Sequence, residues 1–84
     1  MINSKIKLSD IQKGGRVVIT SFVDEARMTG RLSQYGLYPG DHARVLRIAP
    51  FDGPVLLEVR GMEIALGKNV AERILVEVTP CDSH

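Results

Sequence analysis

Short runs in which apolar and polar residues alternate fill the second half of the chain. Val55, Leu57 and Val59 share one face, against Leu56 and Glu58 on the other. Met62, Ile64 and Leu66 alternate with Glu63 and Ala65, and Ile74, Val76 and Val78 alternate with Leu75, Glu77 and Thr79. A period of two marks strands with one buried face. Arg16 to Phe22 is β-branched and reads as a further strand, as does His42 to Ala49. Only Asp24 to Tyr35 shows a helical period, with Met28, Leu32 and Tyr35 at i, i+4 and i+7 forming one apolar stripe. Asp24 and Glu25 place negative charge at its start, and Gly36 is a natural C-cap. Gly30 inside this helix costs about 1 kcal/mol relative to Ala, so either the helix packs closely there or it is weak.

Turn signals punctuate these runs. Gly14-Gly15 opens the first strand, and Pro39-Gly40 fits the central pair of a type II turn. Asp52-Gly53, within the loop of residues 50–54, favours a hairpin reversal, and Arg60-Gly61 makes a tight turn. Lys68 to Arg73 is long enough for one 3₁₀-like turn. The expected fold is mainly β: about five short strands curled into a small barrel or sandwich, with one α-helix inserted after the first strand. Its core should contain Val17, Ile19, Leu32, Val45, Leu57, Ile64, Leu66 and Ile74. The 84 residues make one domain, with residues 1–7 and 80–84 as loose ends.

Composition narrows the function. Hydrophobic residues are 44% of the chain and charged residues 25%, the balance of an ordinary globular domain. A net charge of +1, from 11 basic and 10 acidic residues, lacks the basic excess of nucleic-acid binders. Tyr35, Tyr38, Arg44 and Arg47 are the residues from which a nucleic-acid face would have to be built; Tyr35 is better placed as core. No apolar stretch is long enough to span a membrane or to serve as a signal peptide, so a cytoplasmic protein without membrane insertion is expected. Cys81 is the single cysteine, and it forms no internal disulfide.

No nucleophile elbow, phosphate-binding loop or zincin motif occurs, which points away from an enzyme and from a bound cofactor. Cys81-x-x-His84 has chelating spacing but supplies two ligands, where structural sites use four, and His42 opens a strand alone. No fuller ligand set for a transition metal is visible. Protein binding is the best supported activity. Leu37 and Tyr38 fall in a turn stiffened by Pro39 and Gly40, where apolar side chains are hard to bury. Leu37 either reaches the surface or plugs the barrel end, whereas Tyr38 should be partly exposed.

The ordered set Arg31-Leu32, Tyr35-Gly36-Leu37, Pro39-Gly40, Pro50 with Gly53-Pro54-Val55, Arg60-Gly61 with Ile64-Ala65-Leu66, and Ala71 with Ile74 and Val76 resembles the FeoA family, from about Leu8 to Val78. These are small proteins encoded with the FeoB ferrous-iron transporter. The resemblance implies an SH3-like barrel in a stand-alone form, and a partner in the cytoplasmic G-domain region of FeoB. The partner-binding residues are expected to be Leu37, Tyr38, Pro39 and Gly40, with Arg31 on the helix, in a monomer or weak homo-oligomer. The family pattern also occurs as the C-terminal domain of metal-dependent repressors, so a metal-regulatory module is the alternative, and a small nucleic-acid-binding barrel is a third.

Overall fold

The computed structural model describes residues 6–79. Six strands form one antiparallel sheet: β1 (Ile6–Lys7), β2 (Arg16–Phe22), β3 (His42–Ile48), β4 (Val55–Val59), β5 (Met62–Leu66) and β6 (Ile74–Val78). Their spatial order is β1-β6-β2-β3-β4-β5. The main helix, α1 (Glu25–Ser33), joins β2 to β3, and a single turn of helix, α2 (Lys68–Ala71), joins β5 to β6. A 3₁₀ turn, Leu8–Asp10, follows β1.

The alternating runs form the strands they predict. Val55, Leu57 and Val59 are buried on β4, and Ile64 and Leu66 on β5, directly across the ladder. Every residue expected in the core is buried, and among the described residues no polar or charged side chain is. Two register shifts help the sheet to curl, because an unpaired residue bends and twists its strand. One lies between Ile19 and Ser21 of β2, where the Thr20 hydroxyl donates to the Leu75 carbonyl at 3.0 Å. The other lies between Val45 and Arg47 of β3.

The structure corrects five expectations. Ile6 and Lys7, expected in the loose end of residues 1–7, pair with Val76 and Leu75 and bring the expected count of about five strands to six; two residues carry too little pattern for a period to be read. The helix therefore follows the second strand, and it ends at Ser33. Tyr35 lies beyond its last turn and is 41% exposed, so it is not part of the core stripe. The turn at Lys68 is α-helical, with Ala71 N–H donating to the Gly67 carbonyl at 3.0 Å. In the β3–β4 hairpin, Gly53 N–H closes on Pro50 at 3.1 Å, so Phe51 and Asp52 are the central pair rather than Asp52 and Gly53. Gly53 serves a different need: a Cβ there would stand 2.6 Å from that of Ala49.

Candidate functional site

Helix α1 ends in a Schellman motif. Leu37 N–H donates to the Leu32 carbonyl at 3.0 Å, and Gly36 N–H to the Ser33 carbonyl at 3.0 Å. The motif needs a left-handed residue at its sixth-to-first closure, and Gly36 supplies it at φ +84°. The chain then turns sharply into the barrel. Leu37 is fully buried, which decides between its two readings: it plugs the core and offers no surface to a partner.

The next four residues form a closed turn. Asp41 N–H donates to the Tyr38 carbonyl at 3.1 Å, with Gly40 at φ +95° in the second central position after Pro39. One Asp41 carboxylate oxygen accepts from Tyr38 N–H at 2.9 Å, so the turn is bonded across both ends. Gly40 N–H also donates to the Ile19 carbonyl at 2.7 Å, and Ile19 N–H to the Asp41 carbonyl at 2.9 Å, which fastens the turn to β2.

A third fastening comes from far along the chain. Arg60, at the β4–β5 hairpin tip, donates through Nη1 to the other Asp41 oxygen at 2.7 Å and through Nη2 to the Gly36 carbonyl at 2.6 Å. The planar guanidinium thus spans the helix end and the turn together, a geometry that lysine cannot copy. Pro39, Gly40, Tyr38 and Met62 remain on the surface around this clamp, with Tyr38 48% exposed and the Met62 methyl 3.9 Å from where a Cβ on Gly36 would stand. The arrangement is suited to presenting a stiff aromatic and apolar edge, since its backbone is already ordered.

Arg31 is placed elsewhere. It lines an open groove between α1 and α2 with Tyr35, Asn69 and Val70, a hollow of about 580 Å³. The expected site residues are therefore divided among three places: Tyr38, Pro39 and Gly40 on the turn, Leu37 in the core, and Arg31 in the groove. Lys68 and Asp52 close one side of that groove at 2.7 Å. Their mutual hydrogen bond, then their mutual charge, hold the Asp52 carboxyl below its ordinary 3.8 and the Lys68 amine above its ordinary 10.5. His42 is exposed at the start of β3, while Cys81 and His84 lie outside the described residues. Among the described residues, no three His, Cys, Asp or Glu side chains gather where they could hold a metal ion. Among them, too, no helix is long and apolar enough to cross a membrane.

Sequence reasoning missed Arg60. The Arg-Gly pair signalled a turn, but nothing local says that its side chain reaches residues 19 and 24 positions earlier.

A six-stranded antiparallel sheet curled in this order, with one principal helix, defines the class as a small SH3-like barrel. The chain belongs to the FeoA family: the model of the FeoA domain matches residues 6–78. Among solved structures, the FeoA protein of Chlorobium tepidum is 35% identical over 93% of this chain and 74% of that one, with a TM-score of 0.78. A FeoA-like protein of Clostridium acetobutylicum is 26% identical over 99% and 96%, with a TM-score of 0.83. A manganese-dependent transcriptional repressor aligns at 19% identity over 94% of this chain and 44% of its own, with a TM-score of 0.83, a likeness of fold alone. No curated protein matches the chain.

Proposed function

We propose that this protein is a cytoplasmic, non-enzymatic accessory of ferrous-iron uptake that docks on the G-domain region of the FeoB transporter. The observation that carries this reading is the clamped turn, where Arg60 and Asp41 hold Tyr38 half exposed on ordered backbone. Binding surfaces gain most from aromatic anchors whose ordering cost was met during folding. Family membership supports the iron-transport context: one solved relative is named an iron uptake regulatory protein, FeoA, and is 30% identical over 92% of this chain. FeoB as the partner is what membership in this family implies. The docking residues are Tyr38, Pro39 and Gly40, joined by Met62; Arg31, in the groove between α1 and α2, stands apart from them.

The test is a titration of isotope-labelled protein with the purified cytoplasmic portion of FeoB. Amide shifts should concentrate at residues 36–41 and at 60–62. Saturable binding with shifts confined to another face would contradict the assignment of the site, and no binding would contradict the partner.

A further inference from the structure

Phe51 is the anomaly of the surface. Its ring is 98% exposed, at the tip of the β3–β4 hairpin. Its backbone is left-handed at φ +57°, a region that glycine and asparagine tolerate and a bulky side chain resists. Phe51 thus carries two costs to folding, water around an aromatic ring and a strained backbone, and its ring buries nothing in return. Such outliers point to function when the surroundings hold them in place. Here they do. Asp52, also left-handed at φ +62°, is tied to Lys68 at 2.7 Å, and behind the tip Gly53 lets the chain pass close to Ala49. Ile48, at the end of β3 three residues before Phe51, is a second exposed apolar side chain, at 40%.

We propose that Phe51 is a second anchor, a rigid aromatic knob that enters an apolar socket on the partner protein. This rests on the docking of the chain on FeoB proposed above. A bilayer is the less suitable host. One ring is a weak membrane anchor unless a second signal such as a polybasic patch joins it, the net charge is only +1, and Lys68 is neutralised by Asp52. A socket in a protein, by contrast, rewards a single fixed aromatic side chain. Tyr38 precedes β3 and Phe51 follows it, so the two anchors stand beyond opposite ends of a seven-residue strand roughly 20 Å long. One protein interface of ordinary size, about 800 Å² on each partner, covers that span.

The variant Phe51→Gly separates this role from a structural one, because it removes the ring and relieves the left-handed strain together. Its melting temperature should rise by a few degrees, while its affinity for the purified cytoplasmic portion of FeoB should fall about tenfold or more. Stability and affinity then move in opposite directions. A variant that binds as the wild type does overturns the second anchor and leaves the Tyr38 site standing. A lower melting temperature overturns it also, since the ring would then be packed. Loss of retention on phosphatidylglycerol vesicles with FeoB affinity intact assigns the ring to lipid, and loss of self-association in sedimentation with FeoB affinity intact assigns it to a second copy; either overturns the proposal. Failure of the wild type to bind at all removes the adaptor reading, and this inference with it.

Discussion

The two hairpins that flank β4 adopt the same unusual backbone for different returns. At the β4–β5 tip, Arg60 and Gly61 are both left-handed, at φ +53° and +80°. At the β3–β4 tip, Phe51 and Asp52 are left-handed, at φ +57° and +62°. In the first, the strained residue sends its guanidinium back to Asp41 and Gly36, so the fold offsets the strain with two charge-assisted bonds. In the second, Asp52 has its bond to Lys68, but the Phe51 ring lies in water. Strain that the fold offsets marks a fastening; strain that it leaves standing is the ground for the anchor proposed at Phe51.

The largest expected effect lies beneath the fastened end. Leu37→Ala removes the plug under the turn and should cost about 2–5 kcal/mol in urea unfolding, as for other buried leucines. A cost below about 1 kcal/mol would mean that the clamp, and not the plug, holds this end. Arg60→Ala comes next. The Arg60 side chain is half exposed although Asp41 is largely covered, which limits the worth of the pair, and a loss of about 1 kcal/mol is expected, shared with Asp41→Asn in a double-mutant cycle. Phe51→Ala, by contrast, should change stability by no more than about 0.5 kcal/mol. Equal losses for Arg60→Ala and Phe51→Ala would erase the distinction between the hairpins.

A smaller effect of opposite sign is expected at Gly30. A Cβ there meets nothing within 4 Å, so no close packing requires the glycine. Gly30→Ala should stabilise by about 0.5–1 kcal/mol, and a loss would show that the helix needs that space. The smallest effect is the pH dependence of the Asp52–Lys68 pair. The carboxyl is depressed in the folded state, so its contribution is present above the ordinary value of 3.8 and is lost as pH falls through the folded value. The amine is raised, so its contribution is complete below 10.5 and is lost as pH rises through its folded value. The difference in melting temperature between the wild type and Lys68→Met should therefore be flat around neutrality and shrink toward strong acid. A difference that grows in acid would contradict the pairing.

How far the sequence could be read follows from the range of the interactions. Strand faces were legible because burial follows a period of two, and the observed bounds of β2, β4, β5 and β6 coincide with the runs read from Arg16, Val55, Met62 and Ile74. The turn at Pro39-Gly40 was legible because each residue limits its own backbone. Tyr35 was misplaced because a helical period was carried past Ser33, where the Schellman closure redirects the chain. Phe51 was missed because Asp-Gly is the stronger turn signal, while the close approach to Ala49 uses that glycine elsewhere. The candidate site was half legible: the turn could be read, but its clamp joins residues distant in sequence, and Arg31 faces a separate groove.

The central claim, that the clamped turn is the docking face, is tested most directly by Tyr38→Ala, with melting temperature and affinity for the cytoplasmic portion of FeoB measured on the same sample. With its ring 48% exposed, the variant should lose less than about 1 kcal/mol of stability and about 1–3 kcal/mol of binding. A variant that melts normally and binds with undiminished affinity would contradict the account.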